Sequence, residues 1–224
     1  LEGVTMDIVF DFDSTLADSH GLVIDAVRQI ISKETKTEYT REYINQKFIA
    51  NSEDLYPQFG INMKDPETRD RLEDHWREIA RTNWAEITFF DGIRELLTSL
   101  KKEGYGVHIL TLRDRESTEK VLKQHELFEL FDKIGCGDDK VQKPNPQALW
   151  NLLGEDKKVQ AKSIFMVGDS PVDVSLALKA GVRSIHAKWC HFARTVQLND
   201  LTPCFEAQSP LDCLSIIADH RGNR

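Results

Sequence analysis

The chain has 224 residues, of which 40% are hydrophobic and 29% charged, figures typical of a globular protein and not of a collagenous or disordered one. Its 37 acidic residues exceed its 29 basic ones, and the formal net charge of −8 argues against nucleic acid as a partner. Four cysteines without CxxC spacing, short apolar runs and a beginning unlike a signal peptide together predict a cytoplasmic protein with no membrane partner.

Short apolar runs predict the strands of a parallel sheet. We expect three clear strands and two weaker ones, at 8–10, 107–110 and 163–167, and at 133–136 and 183–187. Segments with helical periodicity lie between them, at 92–103, 117–127, 146–153 and 172–180. This alternation of strand and helix predicts a doubly wound, Rossmann-like α/β fold.

The connection between the first two clear strands is too long for a simple crossover. About ninety residues separate them, where a dozen or so are needed. Apolar residues recur at helical spacing within this insert, over 21–34, 43–49 and 68–84. We therefore expect a helical cap domain at residues 18–88, inserted into a core domain formed by residues 1–17 and 89–224.

Carboxylates follow two of the clear strands. Asp11 and Asp13 come after the first, and Asp169 and Asp173 follow the third. The carboxyl ends of parallel strands share one edge of the sheet, so we expect these side chains to converge. Clustered carboxylates raise one another's pKa unless a cation neutralises them, and oxygen ligands suit Mg²⁺. The sequence therefore predicts a magnesium site formed by Asp11, Asp13, Asp169 and Asp173.

Two further residues are suited to binding a phosphoryl group. Thr111 ends the second clear strand, where its hydroxyl and the neighbouring backbone N–H groups, including that of Leu112, are candidate ligands of phosphate oxygens. Lys143 supplies a positive charge for the phosphate and for a carboxylate nucleophile. Each residue taken alone is more often structural or solvated, so the prediction depends on their combination with the acids.

In its ordered motifs the chain resembles the haloacid dehalogenase-like (HAD) hydrolase superfamily. The four matching segments are Asp11-Phe12-Asp13-Ser14-Thr15-Leu16, Thr111, Lys143-Pro144 and Gly168-Asp169-Ser170-Pro171-Val172-Asp173. The resemblance covers residues 7–187, and the inserted helices resemble the cap of the phosphoglycolate phosphatase and β-phosphoglucomutase branch. No motif covers the tail after Trp189.

The resemblance implies a role for each motif residue. Asp11 is implied as the nucleophile, Asp13 as the general acid and base, and Lys143 as the residue that balances charge. Thr111 and the following amide, that of Leu112, are implied to bind phosphate. Mg²⁺ is implied to bind Asp169, Asp11 and the carbonyl of Asp13, with Asp173 further from the ion or linked to it through water.

The expected function is Mg²⁺-dependent hydrolysis of a small phosphorylated metabolite by a monomer or homodimer. The acid at Asp13 disfavours the dehalogenases and phosphonatases of the superfamily, which lack it. Two alternatives stay open: a phosphomutase of the same fold, and a non-catalytic phosphate-binding module or phospho-accepting receiver. Asp18 and His20 are candidate substrate contacts near the first motif.

Two positions depart from the family's pattern. Ser14 stands where relatives usually have Gly, so the turn after Asp13 has to accommodate a Cβ. Leu112-Arg113 follows Thr111 where many relatives have Asn. We expect the side chain of Arg113 either to face solvent or to contact the substrate.

Overall fold

A computed structural model describes residues 6–49, 52–190, 198 and 200–221, except for the side chains of residues 80–83. The described strands are β1 Asp7–Phe10, β2 Ala17–Asp18, β3 Thr88–Phe89, β4 Gly106–Leu110, β5 Lys133–Gly135, β6 Ile164–Gly168, β7 Arg183–Ala187 and β8 Phe205–Ala207. The described α-helices are α1 His20–Thr35, α2 Arg41–Lys47, α3 Ser52–Leu55, α4 Pro66–Asn83, α5 Ile93–Lys102, α6 Arg115–Gln124, α7 Pro146–Leu153, α8 Pro171–Ala180 and α9 Asp212–Ala218.

The main sheet is six-stranded, in the order β5-β4-β1-β6-β7-β8. Every neighbouring pair in it is parallel. The chain runs from β1 outward through β4 and β5, then returns to the other side of β1 and runs outward through β6, β7 and β8. This arrangement confirms the predicted doubly wound α/β fold, and it places the reversal of strand order between β1 and β6.

The sixth strand of the sheet was not predicted. β8 lies in the tail that carries no motif. Of its three residues, Phe205 is partly buried, Glu206 is exposed and Ala207 is buried. Such a short edge strand has no clear apolar run in the sequence. Its register, Ile185 opposite Phe205, is set by pairing with the buried strand β7.

The start of a helix is set by a side chain that accepts hydrogen bonds from backbone N–H groups without a partner inside the helix. The helix predicted at 117–127 runs from Arg115 to Gln124, because the Asp114 carboxylate accepts a hydrogen bond from the Ser117 amide and caps its start. α5 buries Ile93 and three leucines at helical spacing, as its periodicity predicts.

None of the described helices combines the length and apolar content needed to cross a membrane.

The chain divides into two compact units, one comprising Leu1–Asp18 with Thr88–Arg224 and the other Ser19–Ile87. In the first unit, β2 and β3 pair antiparallel at the two points where the chain leaves and re-enters it. The second unit is helical, and α1 packs against both α2 and α4. Its core contains Ile24, Val27, Ile30, Ile31, Ile44, Leu55 and Leu72.

A buried charged network lies at the amino end of the sheet. Asp7, the first residue of β1, hydrogen-bonds His108 Nε2 at 3.1 Å and accepts from Lys157 Nζ at 2.6 Å. Gly106 pairs with Asp7 across the strands, and a Cβ on Gly106 would lie 2.3 Å from Asp7 Oδ1. Burial by itself raises the pKa of Asp7, but the hydrogen bonds and charges of His108 and Lys157 outweigh burial and hold it below its usual range.

We expect the substitution Asp7→Asn to lower the free energy of unfolding by roughly 1–3 kcal/mol at neutral pH. A lowered pKa means that Asp7 stabilises the fold above its unfolded-state value, and that this stabilisation is lost as the pH falls through the folded-state value. The difference between wild type and variant, measured by urea unfolding, should therefore shrink below about pH 4.

The matched control is Asp91→Asn, since Asp91 is exposed in the turn before α5. This control should change the unfolding free energy by less than about 0.5 kcal/mol. Equal losses from both substitutions, or a loss at Asp7 that is constant with pH, would contradict the assignment.

Candidate active site

The reversal of strand order brings three of the predicted acids together at the carboxyl edge of the sheet. Asp11 follows β1 and its amide donates to Val167 of β6 at 2.9 Å, which continues the pairing of the two strands. Asp169 follows β6 directly. One carboxylate oxygen from each of Asp11, Asp169 and Asp173 lies within 4.8 Å of the others, and all three residues are buried.

Lys143 joins two of these acids. Its Nζ donates to Asp11 Oδ1 at 2.6 Å and to Asp173 Oδ1 at 2.7 Å, and the residue is only 6% exposed. Lys143 belongs to the loop before α7, which Asn145 caps by accepting from the Gln147 amide. Burial lowers the pKa of Lys143, but the two carboxylates outweigh burial and raise it, so the ammonium keeps its charge.

The start of α8 fixes Asp173. Its Oδ2 accepts from the Ser170 hydroxyl at 2.6 Å and from the Ser170 amide at 3.2 Å, in a capping box. Gly168 is required beside it, because a Cβ there would lie 2.2 Å from Asp173 Cγ. Both carboxylate oxygens of Asp173 therefore already accept hydrogen bonds, from Lys143 and Ser170.

Side chains that the sequence analysis did not identify hold Asp169. The Thr15 hydroxyl donates to Asp169 Oδ1 at 3.2 Å, and the Trp189 indole donates to the Thr15 carbonyl at 2.8 Å. His186 Nε2 donates to the Asp169 carbonyl at 3.1 Å. These residues come from the first motif, from β7 and from the segment after it, and only the sheet brings them together.

The charges of this cluster do not balance. Burial, followed by the charges of Asp173 and Asp13, raises the pKa of Asp11 to about 7 against the opposing effect of Lys143. Burial and the charges of Asp11 and Asp173 also raise the pKa of Asp169 well above its usual range. The Lys143 ammonium offsets only part of the negative charge of the three carboxylates. Their oxygens are the ligands that hard divalent cations prefer, so the site fits a divalent cation.

Asp13 lies outside this group of three. Its carboxylate accepts from Arg113, with Nη2 at 2.8 Å from Oδ1 and Nε at 3.1 Å from Oδ2. The Arg113 side chain is 9% exposed, so the expectation that it faces solvent is wrong. The sequence carried only a weak signal of this pair, the replacement of the usual Asn by Leu112-Arg113.

The loop after β4 contains the predicted phosphate ligands. Thr111 is buried and its hydroxyl accepts from the Arg113 amide at 3.1 Å, whereas Leu112 is 37% exposed. Gly137 packs against this loop so tightly that a Cβ would lie 1.9 Å from the Leu112 carbonyl oxygen. The assignment of phosphate binding to Thr111 and the Leu112 amide stays a prediction.

Ser14 adopts the backbone conformation that its position requires. Its φ is 64°, in the left-handed region that favours glycine, and its amide donates to the Ala17 carbonyl at 2.8 Å. A residue with a Cβ costs about 1 kcal/mol more than glycine in this conformation. The turn after Asp13 therefore keeps its hydrogen bond at the expense of local strain.

The two candidate substrate contacts belong to different units, His20 to the helical unit and Asp18 to the unit that contains the sheet. His20 Nε2 hydrogen-bonds Asn45 Oδ1 at 2.7 Å, and its ring meets that of Phe48 edge to face. Asp18 is exposed on β2, and Ser19 separates it from α1. Contact of Asp18 or His20 with a substrate stays a prediction.

The fold is a doubly wound α/β sheet with an acidic cluster at its carboxyl edge, and comparison with known proteins gives its family. The chain belongs to the haloacid dehalogenase-like hydrolases, whose family model matches residues 8–187. A protein of Caldanaerobacter subterraneus subsp. tengcongensis, provisionally named pyrophosphatase PpaX, is 30% identical over 194 residues, or 81% of each chain. Pyrophosphatase PpaX of Bacillus cereus is 26% identical over 220 residues, or 95% of this chain and 96% of that one.

A solved structure has the same fold. The crystal structure of a protein from Lactobacillus plantarum, provisionally named phosphoglycolate phosphatase, superposes with a TM-score of 0.80. It is 21% identical in sequence, and the match covers 95% of this chain and 100% of that one. This likeness confirms the fold, while the family match and the relatives named pyrophosphatase confirm the enzyme class predicted from the motifs.

We expect cation binding at the three carboxylates to weaken as the pH falls. The pKa of Asp11 is about 7 without a cation, so protons compete with the ion below neutrality. The apparent affinity for Mg²⁺, measured by calorimetry, should fall about tenfold between pH 8 and pH 6. Asp169→Asn should remove most of the binding, and equal affinity at both pH values would contradict this account of the site.

Proposed function

We propose that the protein is a Mg²⁺-dependent phosphatase that hydrolyses a small phosphorylated metabolite through an aspartyl-phosphate on Asp11. The proposal is carried by one observation: the Lys143 ammonium, 2.6 Å from Asp11, lies within a buried cluster of carboxylates. An ionised carboxylate is a competent nucleophile when its position is fixed, and a buried cation limits the repulsion between it and a phosphate.

Each half of the reaction uses the two acids of the first motif. In the first half, Asp11 attacks phosphorus, the bond from phosphorus to the leaving oxygen breaks, and Asp13 gives that oxygen a proton. In the second half, Asp13 takes a proton from a water molecule while the oxygen of that water attacks phosphorus. The bond from phosphorus to Asp11 then breaks, which releases inorganic phosphate and restores the Asp11 carboxylate and the protonated Asp13.

The residues around Asp11 have distinct supporting roles. Asp11 and Asp169 would hold Mg²⁺ together with the Asp13 carbonyl. Asp173, whose carboxylate oxygens accept from Lys143 and Ser170, would lie further from the ion or be linked to it through water. The bound ion would neutralise charge on the phosphoryl oxygens. The Thr111 hydroxyl and the Leu112 amide are proposed to bind those oxygens, while Lys143 keeps Asp11 in position.

The substrate class is a small phosphate compound, and the relatives broaden the set to test. Two of them carry the name pyrophosphatase PpaX, so inorganic pyrophosphate belongs in the panel. Phosphoglycolate, sugar phosphates, nucleotides and p-nitrophenyl phosphate complete it. With sugar phosphates, analysis of the products distinguishes release of phosphate from its transfer within the sugar, which is the phosphomutase alternative.

We expect wild-type protein to release phosphate from at least one compound of this panel with Mg²⁺, and to stop when EDTA is added. Asp11→Asn should reduce turnover by at least about 10⁴-fold, because an amide of the same size is a far poorer nucleophile. Phosphate release and thermal unfolding would be measured on the same preparations.

Asp91→Asn is the control for this experiment as well, and it should keep wild-type turnover since Asp91 is exposed in the turn before α5. Turnover retained by Asp11→Asn would refute the nucleophile assignment. Turnover unaffected by EDTA would refute the dependence on metal.

A further inference from the structure

The two acids of the first motif are held by different cations. Asp11 accepts from the buried Lys143 ammonium, and Asp13 accepts from the guanidinium of Arg113. These cations come from different loops, Lys143 from the one before α7 and Arg113 from the one after β4. The two carboxylates, only two residues apart, therefore depend on different parts of the fold for their positions.

The contact between Arg113 and Asp13 is two-pronged. Nη2 donates to Oδ1 at 2.8 Å and Nε donates to Oδ2 at 3.1 Å, with a further Nε contact to Oδ1 at 3.2 Å. Parallel hydrogen bonds from a planar guanidinium fix both the position and the plane of a carboxylate. A lysine, with a single point charge, fixes the position only.

Arg113 is itself held on several sides. Its guanidinium lies over the Phe12 ring, 5.5 Å from the centroid, and Nη1 donates to the Ser117 hydroxyl at 3.3 Å. Its amide donates to the Thr111 hydroxyl at 3.1 Å, and its carbonyl accepts from the Gly137 amide at 2.8 Å. Because Arg113 is fixed in the loop after β4, its hydrogen bonds set the position of the Asp13 carboxylate relative to that loop.

We infer that Arg113 is a positioning residue that holds the Asp13 carboxylate in the orientation needed for proton transfer. This inference rests on the proposed function, in which Asp13 exchanges protons with the leaving oxygen and with water. Proton transfer is efficient only within hydrogen-bond distance, and misplacement of a reacting group by 1 Å can cost about 100-fold in rate. Loss of Arg113 should therefore lower kcat and leave KM nearly unchanged.

The experiment measures the steady-state kinetics of the full wild-type chain and of four variants. These are Arg113→Met, Arg113→Lys, Asp13→Asn, and the double variant that combines Asp13→Asn and Arg113→Met. All are assayed with Mg²⁺ on the compound that wild type hydrolyses fastest. We expect kcat to fall about 100-fold for Arg113→Met and about tenfold for Arg113→Lys, with KM within about twofold of wild type. The double variant should be no slower than Asp13→Asn, because Arg113 acts through Asp13.

The matched control is Arg115→Met. Arg115 lies two residues further along, is 40% exposed, and pairs with Asp139 at 3.0 Å. Its kcat should stay within about twofold of wild type. Thermal unfolding of every variant separates a loss of fold from a loss of rate, and Arg113→Lys decides the question if Arg113→Met does not fold.

Each outcome has one meaning. A kcat within twofold of wild type in a folded Arg113 variant overturns the inference and leaves the proposed function intact. A further loss in the double variant beyond Asp13→Asn also overturns it, because Arg113 would then act independently of Asp13. A wild-type protein that releases no phosphate, or an Asp11→Asn variant that still does, refutes the proposed function and this inference with it.

Discussion

The carboxyl edge of the sheet depends on the Lys143 ammonium shared between Asp11 and Asp173. Three carboxylates with oxygens within 4.8 Å of one another are costly to bury, because each desolvated charge repels the others. Lys143 offsets part of that cost at 2.6 and 2.7 Å. The remaining imbalance, which raises the pKa of Asp11 and Asp169, makes this edge suited to a divalent cation.

The backbone around the cluster is adapted to keep the acids close. Gly168 leaves room for Asp173, and Gly137 allows the loop after β5 to lie against Leu112. Ser14 takes a left-handed conformation so that the chain turns back immediately after Asp13. These positions show that close approach of loops, and not only the identity of the acids, creates the site.

Buried acids of the core unit are paired with cations at both ends of the sheet. At the amino end, Asp7 hydrogen-bonds His108 and pairs with Lys157, and Gly106 packs closely against its carboxylate. At the carboxyl end, Asp11, Asp169 and Asp173 form a cluster whose negative charge exceeds the positive charge of the Lys143 ammonium beside it. The same physical rule, that a buried charge needs a partner, is thus satisfied at one edge of the sheet, whereas at the other edge it leaves an acidic cluster suited to a cation.

The sequence by itself determined the alternation of strands and helices, the long insert after the first strand and the placement of Asp11, Asp13 and Asp169 after strand ends. These features are local, since apolar periodicity reports burial within a few residues of the chain. The tertiary structure alone decided that Arg113 pairs with Asp13, one hundred residues away, and that Thr15, Trp189 and His186 support Asp169. It also decided the edge strand β8, whose three residues carry no periodic signal. Such contacts depend on strand order, register and loop packing, which bring together residues that no local pattern connects.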